Sequence, residues 1–263
     1  MSAAAGFARV DSRFVAPSTP PQPQNIFSNR VAELLDRIDC RVADSDEDRE
    51  AIYRLRYECY LCEGAISLNL SEKFSDSYDD QENAWIFGLY IDDELASSIR
   101  IHVTSPEHSD FPSRSVFSDL LEPELRAGKV IVDPTRFVTN KRLSQLYPGL
   151  PYATLRLCWL AAEHFRAEHF LVAIRAEHQA FYRRTFLHRL ICDARPYPLL
   201  AKPISLMTVD FSSVADRVHQ RYPFFRSTYF ERRMLFEPRF RMPGVSVQPR
   251  ATVVSMDDFR ATQ

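Results

Sequence analysis

Apolar residues recur along the chain with two different periods, and the changes between them mark out the elements. In SNRVAELLDRI (28–38), Val31, Leu34, Leu35 and Ile38 share one helical face, with Ser28 placed as a cap. CRVA (40–43) reads as a short strand. DSDEDREAIYRLRYECYLCEG (44–64) opens with acids, as helix N-termini favour, and continues with Ile52, Leu55, Cys59 and Cys62 at helical spacing. WIFGLYID (85–92) and ELASSIRIHVT (94–104) follow as two strands joined by a tight polar turn, the pattern of an antiparallel hairpin. VFSDLLEPELRAG (116–128) is a short helix stopped by glycine. KVIVDPTRFVT (129–139) is a strand, and Pro134 within it marks an edge or a bulge. A long helix over 151–168 begins at a proline. The strand HFLVAIRA (169–176), a helix over 177–190 and the strand ISLMTVDF (204–211) complete the order.

Strands interleaved with helices predict a layered α/β (α+β) domain with a central mixed sheet. A hairpin followed by strand–helix–strand–helix–strand resembles the acetyltransferase-like (GNAT) fold. That resemblance implies two central strands splayed apart at a bulge, with a pantetheine arm between them. Pro134 stands where the bulge is wanted.

Composition narrows the class. Hydrophobic residues make up 45% of the 263, enough for a sizeable core, and the net charge of −2 does not announce nucleic acid. No run of 18 apolar residues suggests a spanning helix. The start, MSAAAGFARVDSRF, lacks the order of a signal peptide, and five cysteines do not make an even disulfide framework. A cytoplasmic protein is expected. Cys59 and Cys62 form one C-x-x-C without the second pair that a zinc site wants, so they read as reduced helix cysteines rather than a metal or redox site. Residues 1–27, with Pro17, Pro20, Pro21 and Pro23, read as a disordered leader. A domain over 28–222 and an arm over 223–263 follow.

The charged residues add chemistry. Arg56-Tyr-Glu-Cys-Tyr60, Asp76-Ser-Tyr-Asp79, Ser98-Ile-Arg100, Phe117 before Leu120-Leu121, and Asp133-Pro-Thr-Arg136-Phe137 occur in that order. This series resembles the acyl-homoserine-lactone (autoinducer) synthases, and more closely the bacterial N-acyl amino acid synthases that share their fold. Residues 176–184 and 195–198 resemble the second half of the latter. The resemblance, over about 50–211, implies transfer of a fatty acyl group from an acyl carrier protein to the amine of an amino acid or similar small acceptor. It implies acyl-phosphopantetheine as a substrate, with no metal or other cofactor. Three departures stand out: Tyr60 for a phenylalanine, Ile66 for the tryptophan of the lactone synthases, and Asp133 for a glutamate. The glycine-rich pyrophosphate loop of coenzyme A-dependent relatives is replaced by TNKRLSQLYPGLP. Its loss disfavours coenzyme A, since close backbone approach to a pyrophosphate needs glycine. A lactone synthase, or an inactive relative that binds carrier protein or lipid, are the alternatives.

Acyl transfer to an amine needs a base, a stabilised oxyanion and aligned reactants. Asp133 is the candidate base, provided burial raises its pKa. Glu177 and His178 are candidates at a strand's carboxyl end; a helix cap and a packing role are their bland readings. Arg56, Asp76, Asp79, Arg100, Phe117 and Arg136 are the candidate substrate-binding set. An arginine fork among them would hold an acceptor carboxylate, or the ion pairs would only tie the acidic loop to the sheet. Phe181, Tyr182 and Phe186 read as core. The arm from Arg217 to Arg250 carries eight arginines against Glu231 and Glu237, interleaved with aromatics. It packs on the domain, docks an acidic carrier or meets nucleic acid, in that order of preference, and no nucleic-acid partner is expected.

Overall fold

A computed structural model describes residues 23–237, 247 and 248. Seven strands make one mixed sheet: β1 (Ile38–Val42), β2 (Ala84–Ile91), β3 (Glu94–Val103), β4 (Ile131–Thr139), β5 (His169–Ile174), β6 (Arg189–Arg195) and β7 (Ile204–Asp210), in the spatial order β1-β2-β3-β4-β5-β7-β6. The two faces are distinguished along β3, where successive side chains point opposite ways. Ser97 meets Thr154 of α5 (Leu150–His164), while Arg100 meets Asp79, which in turn holds Arg56 of α2 (Asp46–Cys62). Helices α2 and α5 therefore cover opposite faces of the same strands.

The larger core lies on the α5 face. Trp159, fully buried, is surrounded by Phe170, Phe186, Phe211 and Phe225, with ring centroids 4.6–6.3 Å away. A smaller core on the other face joins Phe117 and Leu121 of α3 (Arg114–Arg126) to Ile131, Leu171 and Leu206.

The feature that makes a site is the junction of β4 and β5. They pair in parallel only at Ile131↔His169 and Val132↔Phe170, at the start of both strands, and then part. The bulge also sits on β4, but two residues beyond Pro134. Ser98 pairs with Val138 and Arg100 with Thr135, so Arg136 and Phe137 together oppose Ile99. Arg136 takes the left-handed backbone, φ 54°, a conformation that costs energy outside glycine. Pro134 stays in register with Ile101. Since the Ile131 carbonyl accepts from Thr104 N on the β3 side, alternation turns the Pro134 nitrogen toward the parted β5 side. The missing N–H therefore costs no ladder bond.

Several elements differ from their expected limits. The first helix, α1, spans Pro23–Leu35, so Ser28 lies inside it and residues 23–27 are not leader. Proline is tolerated in a first turn, and Phe27 anchors the helix edge-on against Tyr152, 4.9 Å between centroids. The helix expected over 177–190 splits. A turn at Ala176–His178 leads into α6 (Gln179–Phe186), Leu187 ends it at φ 63°, and β6 follows. α4 (Lys141–Leu146) and α7 (Phe211–Arg221) were not foreseen. The fold also continues past residue 222. A turn at Pro223–Phe225 and α8 (Tyr229–Phe236) bury Phe224, Phe225, Leu235 and Phe236 in the larger core. The arm's Arg232 and Arg233 pair with Glu163 and Glu237. Packing is thus the structural role of residues 223–237. The disordered-leader expectation for 1–22, and most of the arm beyond 237, lie outside the described residues.

Candidate active site

Two acids on the loop before β2 organise a line of buried charge. Asp76 caps the turn Ser77–Asp80, its side chain accepting from Tyr78 N while the Asp79 carboxylate accepts from Asp76 N. This reciprocal cap fixes both carboxylates relative to the sheet. Asp79 then meets Arg56 Nη1 at 2.8 Å and Arg100 Nη1 at 2.9 Å, and Asp76 meets Arg100 Nη1 at 2.5 Å and Arg136 Nη2 at 2.5 Å. The order Arg56–Asp79–Arg100–Asp76–Arg136 runs from α2 across β3 to the bulge on β4. Thr135 Oγ1 accepts from Arg100 Nε at 3.0 Å. Against the penalty of burial, Arg100 and Arg136 hold Asp76 well below the usual carboxylate range, and Arg56 and Arg100 hold Asp79 down. Burial pulls Arg56 down, with Asp79 opposing. Three guanidiniums against two carboxylates leave a formal charge of +1.

A cavity of about 990 Å³ opens where β4 and β5 part. Its wall takes Leu55 and Tyr60 from α2, Pro151 and Leu155 from α5, and Val172 and Ala173 from β5, so it passes through the sheet between the two helical layers. Arg136 is the member of the charged line that reaches this wall. Its guanidinium lies over the rings of Phe74 (4.3 Å) and Tyr60 (5.7 Å), which, with Asp76, fix its unusual backbone. Tyr182 also lines the cavity, and burial holds its phenol in the protonated form.

The remaining expected residues divide. His178 lines the cavity, and its Nε2 accepts from Arg175 Nη2 at 2.9 Å. Glu177 is exposed and pairs with Arg175 Nε at 3.2 Å, off the wall. Phe117 lies off the wall too, buried in the smaller core under Arg195, because α3 turns it inward beside Leu121. Asp133 is fully buried and off the wall: Ser113 donates to it from Oγ (2.7 Å) and N (3.0 Å), at the start of α3. Burial, against those two bonds, pushes it up to about 6. A carboxyl titrating near neutrality suits a base, but both oxygens serve the helix. Sequence reasoning passed over Tyr197, whose phenol is pushed up by burial and by Asp133 beside it, and which also neighbours Arg136 and Tyr60. Its signal was the short motif at 195–198.

Buried histidines make stability depend on pH. Burial pushes His102 and His188 down to about 3 and His219 to about 4. The unfolded chain binds those protons near pH 6.5, so this contribution is full above about 6.5 and is lost as the pH falls toward 3–4. At about 1.4 kcal/mol per pH unit for each group, His102 and His188 each cost about 2 kcal/mol between pH 6.5 and 5. Asp133 works oppositely: its contribution is present at low pH and lost as the pH rises through about 6. Over this range that is the smaller effect. Thermal melting is therefore expected to fall between pH 7 and 5, and less steeply in a His188→Phe chain. A rise in melting temperature on acidification would contradict the assignment.

Among the described residues, no group of three or more His, Cys, Asp or Glu is placed to hold a metal ion, and no helix is long and apolar enough to cross a membrane. No curated relative matches the chain by sequence. The structure of FeeM, an N-acyl amino acid synthase from uncultured soil microbes, superposes with a TM-score of 0.59 at 17% identity, covering 70% of this chain and 97% of that one. The acyl-homoserine-lactone synthase LasI gives 0.48 at 14% identity, covering 65% and 87%. An acyl-CoA N-acyltransferase from Pseudomonas aeruginosa gives 0.45 at 18%, covering 65% and 97%. The family model of the N-acyl amino acid synthase FeeM matches residues 51–210, more than half of the chain. The chain belongs to the FeeM family of N-acyl amino acid synthases and is an acyltransferase of GNAT-like fold.

Proposed function

We propose that the enzyme moves a fatty acyl group from the phosphopantetheine arm of an acyl carrier protein to the amine of an amino acid or similar small acceptor. The observation that carries this reading is the parting of β4 from β5 after Val132↔Phe170, with the cavity it opens. Among the described residues, the β4 backbone facing β5 has no strand partner beyond Val132, so it is available to a thioester arm. Leu55, Leu155 and Val172 offer the apolar wall a fatty chain requires. Arg136, at the end of a line with a formal +1, offers a charge for the acceptor's carboxylate.

In the reaction the neutral amine attacks the thioester carbonyl, a C–N bond forms, the C–S bond breaks, and the proton that the amine nitrogen gives up balances the one that the leaving thiolate takes. Tyr182, protonated and on the wall, is the candidate relay: its hydroxyl gives its proton to the thiolate as it takes the one the amine gives up, so no buried tyrosinate is left. Apart from this acyl-bearing arm, which is substrate, no cofactor enters the scheme.

A carrier-borne donor is favoured over coenzyme A by the segment after β4. There α4 forms in place of a glycine-rich loop, and Asn140 Oδ1 accepts from Arg142 N (3.0 Å) and Leu143 N (3.2 Å). Those N–H groups serve the chain's own cap rather than a pyrophosphate. The test is mass spectrometry of lipid extracts from cells overproducing the protein, repeated with purified enzyme and acyl thioesters on carrier protein or coenzyme A. A new N-acyl amino acid, formed faster from the carrier, is expected. An acyl lactone would overturn the acceptor, equal or faster use of coenzyme A would overturn the donor, and carrier binding without product would overturn the transfer.

A further inference from the structure

The acyl-transfer scheme gives no role to Cys59 and Cys62, yet both thiols are free and both line the cavity. They stand at i and i+3 on α2, which places their α-carbons about 5 Å apart. Disulfides span about 4.4–6.8 Å between α-carbons. A regular helix holds the β-carbons of such a pair farther apart than the ~3.8 Å a disulfide needs, so the last turn must tighten. It has room to do so. Cys62 is the final residue of α2, Glu63 leaves the helical conformation (φ −85°, ψ 0°), and Gly64 takes φ 61° with open space around it. Cys59 is half-buried, and its Sγ donates to the Thr139 carbonyl of β4 at 3.3 Å, a bond that ties α2 to the cavity wall. Cys62 is exposed. The other cysteines sit elsewhere: Cys40 and Cys158 are buried, and Cys192 lies on β6 at the far edge of the sheet.

We propose that Cys59 and Cys62 are a dithiol site in the cavity wall, oxidised by small-molecule disulfides to an intramolecular disulfide that excludes the acyl chain. The exposed Cys62 thiolate attacks the small disulfide, releases one small thiolate and is left in a mixed disulfide. The Cys59 thiolate then attacks the Cys62 sulfur, which forms the Cys59–Cys62 bond and releases the second small thiolate. Two electrons pass from the protein to the reagent, and the two thiol protons leave the protein. Burial pushes Cys59 up to about 11, which suits it to the slower, resolving step. Drawing Cys59 toward Cys62 breaks its bond to Thr139. It moves the end of α2 against β4 beside Tyr60, on the wall that the proposed function assigns to the acyl arm; the exclusion of the acyl chain rests on that reading, the disulfide does not.

The experiment equilibrates the full chain with oxidised glutathione and then with dithiothreitol. Peptide mass spectrometry reads the thiols, and a fluorescent long-chain fatty acid reads the cavity. The expected result is loss of two hydrogens within the peptide holding residues 59–62, and probe binding weakened at least about tenfold, equivalent to about 1.4 kcal/mol. Dithiothreitol reverses both, and a Cys62→Ser chain shows neither. A stable glutathione adduct on Cys62 without the intramolecular bond overturns the site. An intramolecular bond with unchanged probe affinity overturns the exclusion. A probe that binds neither form overturns the exclusion together with the acyl-chain reading of the cavity, while the mass measurement, which uses no substrate, still decides the dithiol.

Discussion

An Asp79→Asn chain melts on the order of 10 °C below the parent and makes at least roughly tenfold less product per folded molecule. Asparagine keeps the size of the side chain and one oxygen for the Asp76 N–H. It removes the charge that faces Arg56 at 2.8 Å and Arg100 at 2.9 Å, both fully buried. The line of charge then holds three guanidiniums and one carboxylate, a buried +2. Breaking a buried pair by removing one partner costs about 3–5 kcal/mol. At about 2–4 °C per kcal/mol for a chain of this size, the melting shift follows. The loss of product has a separate cause. Arg100 bridges Asp79 and Asp76, and Asp76 holds Arg136 at the cavity, so an Arg100 that has lost the Asp79 charge draws on Asp76 and displaces the charge offered to the acceptor; tenfold corresponds to about 1.4 kcal/mol. The neighbouring Asp80 is the control: it is exposed and pairs with Arg49 at 2.8 Å, an interaction worth about 1 kcal/mol or less. Melting curves and product per folded molecule check both effects. Full activity with an intact fold would take the charged line out of the chemistry.

The sequence displayed most of this arrangement, for definite reasons. Asp76, Asp79, Arg100 and Arg136 were legible because their order and spacing resemble the motifs of the autoinducer and N-acyl amino acid synthases. The structure brings all four together with Arg56. The splay was implied by the resemblance of the element order to the GNAT fold, and the bulge was expected at Pro134 but settled at Arg136. Proline interrupts a ladder only where its nitrogen faces a partner, and here it faces the gap. Asp133 and Phe117 were misplaced because spacing along a strand or helix does not say which face looks into a cavity. Both look toward α3 and the smaller core. β6 escaped notice because RLICDAR, an edge strand, is largely exposed and lacks alternation. The arm was read first as packing on the domain, although arginines and aromatics mixed together also look like a binding surface. Only the fold shows Phe224, Phe225 and Phe236 turned into the core.

That arm supplies the second large effect. Arg156, on α5 and 1% exposed, is the pin that joins it to the sheet layer. Its Nη2 meets Glu231 Oε2 at 2.9 Å, and it donates to the carbonyls of Phe224 (2.6 Å) and Arg226 (2.8 Å). Truncating Arg156 to methionine leaves the Glu231 carboxylate buried and two carbonyls without their donor, so about 3–5 kcal/mol of stability is lost. Glu231→Gln loses less, because the Phe224 and Arg226 carbonyls still accept from the guanidinium and glutamine adds a third acceptor. The pair differs from an isolated charge in one testable respect. When both members become apolar, as in Arg156→Met with Glu231→Leu, no charge is left stranded, and buried ion pairs replaced this way often cost little. The double variant is therefore expected to melt above the Arg156→Met single, with a coupling of about 0.5–3 kcal/mol. Full recovery is not expected, because the Phe224 and Arg226 carbonyls still lack a donor. Strictly additive losses in urea or heat would mean that Arg156 acts through those carbonyls alone, and that Glu231 takes no part in holding α8 to α5.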